Sequence, residues 1–219
     1  MHSTIEKLIN IEKEIKSSLN SLDNKNYPKI IAVSKTFQIE KILPLIDYGH
    51  RDFGENKVQE ALDKWSDIKI KKPDLRIHLI GKLQTNKVKF AVKLFDFIHS
   101  VDSKKLAYKI STEQIKIKKK VKIFIQINIG DEDQKSGVKK NDLDGLVSYC
   151  KELGLEVLGL MCIPPFNKNP NKYFKEMDEL NKKHNFNELS MGMSSDYLTA
   201  INHHATFLRI GSNIFGSRS

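Results

Sequence analysis

Apolar positions along the chain follow two alternating rhythms. In the first segment Ile5, Leu8, Ile9, Ile15, Leu19 and Leu22 share one face of a helix, with polar residues between them. A break over 23–28 follows, and then the apolar run Ile30-Ile31-Ala32-Val33. From there short β-rich stretches alternate with amphipathic helical ones. The pattern predicts strands at 30–34, 50–54, 76–81, 97–101, 122–129, 156–163, 188–192 and 207–211. Helical stretches are predicted between them, among them 57–65, 87–94, 143–153, 173–184 and 195–202. Pro164, Pro165 and Pro170 mark 163–170 as a loop.

Strands that alternate with helices predict an α/β protein with a parallel sheet. A count of eight favours a closed (β/α)8 TIM barrel over a doubly wound open sheet. The short stretch after the eighth strand cannot form a full helix. The N-terminal amphipathic helix is therefore expected to cover that gap in the outer ring. No Pro/Gly/Ser-rich linker divides the chain, so 1–219 reads as a single barrel domain.

Composition narrows the class. At 39% hydrophobic and 29% charged residues, the chain can bury a core and is not disordered. Two cysteines, Cys150 and Cys162, do not make a disulfide framework. No apolar run approaches the length of a membrane span, and the N-terminus lacks the apolar region of a signal peptide. The expectation is a cytoplasmic protein with reduced thiols.

The net charge of +10 admits nucleic acid, an anionic membrane surface or an acidic ligand. Of 37 basic residues only Arg51, Arg76, Arg209 and Arg218 are arginine. No nucleic-acid motif accompanies the lysines and few aromatics interleave with them, so neither nucleic acid nor membrane is expected as a partner. The basic run 116–122, before the fifth strand, reads as a solvated loop on the N-terminal face of the barrel. His203 and His204 are adjacent and cannot share a helix face. With no HExxH or CxxC pattern, no metal site is expected.

In a barrel the ligand site lies at the C-terminal ends of the strands. Lys35 ends the first strand, where partial desolvation lowers an amine's pKa and favours attack on a carbonyl. Standing alone, it would read as a lysine reaching solvent. The ends of strands seven and eight supply Gly192-Met193-Ser194-Ser195 and Gly211-Ser212-Asn213. Each offers glycine, hydroxyl and backbone N–H groups where barrels often bind phosphate. Arg209 lies inside the last strand among apolar neighbours. Its planar fork implies a specific partner, either a ligand or a barrel carboxylate. A carbonyl-reactive lysine, a phosphate cradle and a buried guanidinium are the parts of a pyridoxal 5′-phosphate (PLP) site. Ser194, Gly211 and Ser212 would bind the phosphate, and Arg209 would approach the pyridine nitrogen.

Several segments carry a resemblance: Ala32-Val33-Ser34-Lys35-Thr36, Phe53-Gly54-Glu55-Asn56, His78-Leu79-Ile80-Gly81 with Leu83-Gln84-Thr85-Asn86-Lys87, Gly159-Leu160-Met161, Lys135-Ser136-Gly137, Leu189-Ser190-Met191-Gly192-Met193-Ser194, and Arg209-Ile210-Gly211-Ser212 with Ile214-Phe215-Gly216. Over about 30–218 the chain resembles the pyridoxal phosphate homeostasis protein family (the YggS/PROSC type), related to the N-terminal barrel of alanine racemase. The resemblance implies Lys35 as the cofactor lysine, Ser194, Gly211 and Ser212 at the phosphate, and Arg209 at the ring nitrogen. It also implies Asn56, His78 and Met161 as pocket-lining positions. Departures are Gly81-Lys82 where Gly-Pro is common, Ser212 where threonine is common, and Cys162 where alanine is usual.

A PLP enzyme that stabilises carbanions favours a protonated ring nitrogen, and a charged arginine opposes that. Arg209 therefore argues against deep carbanion chemistry such as transamination, although alanine racemases tolerate such an arginine. The resemblance implies a protein that holds PLP as a Schiff base on Lys35 and passes it on. Its expected partners are enzymes that make PLP and apo enzymes that receive it. Amino-acid racemisation is the enzymatic alternative. It needs a second acid/base group opposite Lys35, which alanine racemases take from a tyrosine of a second domain. Tyr48, Tyr108, Tyr149, Tyr173 and Tyr197 fall in helical stretches and Tyr27 precedes the first strand, so none is an obvious candidate. Without that domain a monomer is expected. Lys135 reads as a loop residue, with a transient second contact to PLP as the sharper alternative.

Overall fold

The computed structural model describes residues 1–21 and 27–217. Leu22, the break at 23–26 and Arg218 lie outside the described residues. Eight parallel strands close into a barrel in sequence order. They are β1 (Lys29–Val33), β2 (Asp52–Glu55), β3 (Arg76–Leu79), β4 (Phe97–Val101), β5 (Lys122–Ile127), β6 (Glu156–Cys162), β7 (Glu188–Met193) and β8 (Phe207–Ile210). β8 pairs with β1 through Ile31↔Arg209 and Ala32↔Ile210, which completes the ring. The expected TIM barrel is the observed fold.

Helices surround it: α1 (Ser3–Ser21), α2 (Ile39–Tyr48), α3 (Val58–Lys71), α4 (Val88–Leu94), α5 (Lys104–Lys116), α6 (Leu143–Glu152), α7 (Asn171–Lys183), α8 (Tyr197–Ile201) and α9 (Ser212–Phe215). The last is a single turn. α1 packs against α2, α8 and α9 and so fills the gap in the outer ring. Its buried stripe is Leu8, Ile11, Ile15 and Leu19. Ile11 joins the face read from the sequence, while Ile5 and Ile9 sit at its half-buried margins.

Boundaries differ from the periodicity for local reasons. β2 starts at Asp52 because the end of α2 runs on into Gly49 and His50. The left-handed Gly49 (φ 108°) and His50 return their N–H groups to the carbonyls of Ile46 and Leu45. α3 continues past Trp65 to Lys71, since no glycine or proline interrupts it before Pro73. α8 starts only at Tyr197, after a turn in which the Asp196 carboxylate accepts from the Met193 N–H at 2.6 Å.

The basic run 116–122 is more than a solvated loop. Lys119 donates to the carbonyls of Lys93 at 3.0 Å and Phe95 at 2.9 Å, satisfying the C-terminal end of α4. Charge and donor geometry together place a lysine there.

The barrel interior is filled in levels, as a packed core. Toward the N-terminal end, Ile31, Phe97, Phe124, Met161 and Phe207 form an apolar cluster separate from the larger core between sheet and helices. Among and above these sit buried polar side chains, His78, His99, Ser190 and Arg209. Above them the interior opens into a cavity.

Candidate cofactor site

Lys35 leaves the barrel directly after β1, in a turn held on both sides. On the near side Ser34 donates its N–H to the Gly54 carbonyl at 2.9 Å and its hydroxyl to Glu55 Oε1 at 2.7 Å. On the far side Thr36 is left-handed (φ 68°), and its N–H bonds to Glu60 Oε1 at 2.5 Å. Lys64 Nζ joins the two sides, donating to the Ser34 carbonyl at 2.9 Å, Glu55 Oε1 at 2.9 Å and Glu60 Oε1 at 3.2 Å. Trp65 Nε1 adds a third donor to Glu55 Oε1 at 3.0 Å. Burial raises the Glu55 carboxyl above its ordinary range, against the opposing pull of Lys64 and the hydrogen bonds. A charged brace on α3 thus fixes the backbone that carries Lys35.

Across the mouth, the ends of β7 and β8 converge. Ser194 Oγ accepts from the N–H of Gly211 at 3.2 Å and of Asn213 at 3.4 Å. Asn213 Nδ2 returns a bond to the Ser194 carbonyl at 3.0 Å. Two backbone donors therefore point at one small polar locus. Gly192 (φ 90°) makes the approach possible, because a Cβ there would stand 2.7 Å from the Ala200 Cβ.

Arg209 is buried (4% exposed). Its Nη1 donates to Ser190 Oγ at 2.8 Å and its Nη2 to the Cys162 carbonyl at 2.8 Å. Among the described residues it forms no ion pair, so the barrel-carboxylate alternative is not what the structure holds. Cys162 enters through its backbone, and burial pushes its thiol up to about 12.

These groups line one cavity of about 780 Å3, within the range of small-molecule sites. Lys35, Asn56, Ser194, Arg209, Gly211 and Ser212 all contribute to its wall, with Lys82, Gln126, Asn128 and Lys135. No aspartate or glutamate lies among the lining residues, so the wall carries positive charge only. Lys135 itself is paired with Glu132 at 2.7 Å and donates to the Pro164 carbonyl at 3.2 Å.

Two sequence candidates stand elsewhere. His78 does not line the cavity: it is fully buried, with Asp52 on Nε2 and His99 on Nδ1. Met161 belongs to the apolar cluster beneath the cavity, two residues before Ile163, which lines it. Both side chains point into the barrel, but at a level below the cavity. Sequence reasoning also passed over Gln126 and Asn128, which the inward alternation of β5 with Phe124 could have revealed. His99, inward with Phe97 on β4, was missed as well.

Comparison with known proteins places the chain in a family. The family described as alanine racemase, N-terminal domain, matches residues 9–219. Within it, a pyridoxal phosphate homeostasis protein of Aquifex aeolicus is 41% identical over 203 residues, 88% of each chain. The protein of that description from Escherichia coli K12 is 35% identical over 199 residues, 86% of this chain and 85% of the relative. Among solved structures, PipY of Synechococcus elongatus with PLP bound superposes with a TM-score of 0.79 at 34% identity, covering 92% of this chain and all of PipY. Alanine racemase of Clostridium difficile shares the fold at a TM-score of 0.69 and 13% identity, over 92% of this chain and 55% of the racemase. The chain belongs to the alanine racemase N-terminal domain family and, within it, to the pyridoxal phosphate homeostasis proteins.

Proposed function

We propose that this protein binds PLP in the mouth cavity and serves its intracellular homeostasis and transfer, as one barrel domain over 1–219. The observation that carries the reading is the shared wall of Lys35, Arg209 and the Ser194–Gly211–Ser212 cradle, in a cavity lined by cations and no acids. PLP supplies an aldehyde, which a lysine amine takes up as a Schiff base with release of water. In this chain Lys35 holds that aldehyde. Ser194, Gly211 and Ser212 receive the phosphate, with the Gly211 and Asn213 N–H groups as donors. Arg209 meets the ring nitrogen, and its fixed charge keeps that nitrogen unprotonated. Asn56 borders the ring. His78 and Met161 act from beneath the cavity. The name of the relatives and the PLP bound in PipY support the reading.

Racemisation is the less favoured reading, because no tyrosine lines the cavity among the described residues. The partners we propose are PLP-producing enzymes and apo enzymes that accept PLP, in the cytoplasm, with the protein acting as a monomer. Among the described residues no helix is long and apolar enough to cross a membrane.

The test is reconstitution with PLP, followed by absorption spectroscopy, borohydride reduction and peptide mass mapping. A visible band and a reduced adduct on Lys35, both absent in Lys35→Ala, are expected. A band retained in Lys35→Ala overturns the site. Turnover of amino-acid enantiomers at ordinary enzymatic rates, on the order of 10 per second, overturns the carrier reading.

A further inference from the structure

A continuous line of buried polar side chains crosses the barrel interior from the cavity to the opposite rim. Arg209 Nη1 meets Ser190 Oγ at 2.8 Å. Ser190 Oγ meets His99 Nδ1 at 2.9 Å. His99 Nε2 meets His78 Nδ1 at 3.0 Å. His78 Nε2 meets Asp52 Oδ1 at 3.0 Å. Asp52 in turn receives Arg76 Nε at 2.7 Å and Nη2 at 2.5 Å, at the N-terminal ends of β2 and β3. His78, His99 and Ser190 are wholly buried, and Asp52 and Arg209 nearly so.

The chemistry of the groups gives this line one direction. Burial alone would raise the Asp52 carboxyl, but the bonds from Arg76 and His78 outweigh it and hold it ionised. An ionised carboxylate only accepts, so His78 carries its proton on Nε2. Burial disfavours a charged imidazole at both histidines, so each has one donor and one acceptor. His78 Nδ1 must then accept, and His99 must donate from Nε2. His99 Nδ1 accepts from the Ser190 hydroxyl, whose lone pair accepts from Arg209. Every donor meets an acceptor. Reversing any one bond would set two donors or two acceptors face to face.

The rings have little freedom to choose otherwise. His78 stacks on Phe97 with centroids 4.3 Å apart, and His99 stacks on Phe124 at 4.4 Å. Phe207 packs against both. The charged and titratable groups around the Asp52 end are Arg76, His50, whose Nε2 lies 2.9 Å from the Asp52 carbonyl, and Asp96.

We propose that His78, His99 and Ser190 are positioning residues that form a directed hydrogen-bond relay, tying the guanidinium of Arg209 to the carboxylate of Asp52 across the barrel. The relay presents one orientation of the Arg209 fork to the cavity and holds it there. Its consequence for PLP rests on the reading that Arg209 faces the cofactor ring; the relay itself does not.

The experiment is nitrogen-15 NMR of the imidazoles in the full chain without PLP, followed by PLP titration. In the wild type both His78 and His99 should be neutral Nε2–H tautomers at pH 7. An Nδ1–H tautomer or a doubly protonated ring at either position overturns the relay. In Ser190→Ala, a small change suited to a packed core, the His99 Nδ1 signal should move toward that of an unbonded acceptor while the His78 tautomer stays. In Asp52→Asn, whose amide can donate as well as accept, both rings should show mixed tautomers. Unchanged imidazole spectra in both variants overturn the coupling. Either variant should weaken PLP binding by up to about tenfold, the scale of one hydrogen bond's net contribution. If the imidazole signals respond as stated and PLP affinity does not, the relay stands and its consequence for PLP is overturned; the Arg209 assignment is tested separately, by the PLP affinity of Arg209→Gln.

Discussion

The backbone carbonyl of Asn56 occupies space that any side chain on Gly81 would need. A Cβ on Gly81 would lie 2.3 Å from the Asn56 oxygen and 2.8 Å from its Cα. The ends of β2 and β3 thus meet backbone to backbone at the cavity rim. Gly81→Ala must push the Asn56 segment aside. The expected cost is about 1–3 kcal/mol of stability, read from urea unfolding midpoints. Weaker PLP binding than wild type should accompany it, because Asn56 and Gly81 both line the cavity.

The Lys64–Glu55 pair is buried beneath the turn that carries Lys35. The Glu55 side chain has no exposure and that of Lys64 only 9%. Removing one partner strands the other, so Lys64→Met should destabilise by about 3–5 kcal/mol. Combining it with Glu55→Gln should return part of that loss, since the glutamine oxygen still accepts from Ser34 and Trp65. A double-mutant cycle in denaturant measures both terms. A Lys64→Met protein as stable as wild type would show that the brace does not matter.

Stability should fall as pH drops through the ordinary histidine range. Burial lowers the pKa values of His99, His78 and His50 in the fold. Below about pH 6.5 the unfolded chain binds protons that the folded one refuses. Each neutral buried histidine then costs up to about 1.4 kcal/mol per pH unit. Asp52, held low in the fold, adds to the loss below about pH 4. Unfolding midpoints between pH 8 and pH 5 check the sign. A midpoint that rises on acidification would contradict it.

Both thiols should be silent toward alkylating and disulfide reagents in the folded protein. Burial pushes Cys150 and Cys162 up to about 12, which leaves almost no thiolate at neutral pH. Labelling with a chromogenic disulfide should titrate two thiols in denaturant and none in buffer. Fast reaction of either in buffer would show that the fold opens to it.

The architecture was legible in the chain because it depends on local periodicity. Eight apolar runs spaced by amphipathic helices define a barrel, and the stripe of α1 already pointed to the gap it fills. That Lys35, Ser194, Arg209, Gly211 and Ser212 would share one cavity wall was legible for a related reason. The C-terminal ends of barrel strands form one face, so residues at strand ends converge whatever the details of packing.

Tertiary structure decided the level of each side chain within the barrel. Alternation along a strand says that His78 and Met161 point inward, but not how far below the mouth they lie. That height follows from the stagger of one strand against the next, including the register shifts between β4 and β5 and between β7 and β8. The stagger places His78 and Met161 beneath the cavity. It also joins His99 to Ser190 across 91 positions of sequence and Asp52 to His78 across 26. No local pattern encodes such pairs. They exist because barrel closure brings inward-facing polar groups of distant strands to one place, where burial obliges each to find a partner.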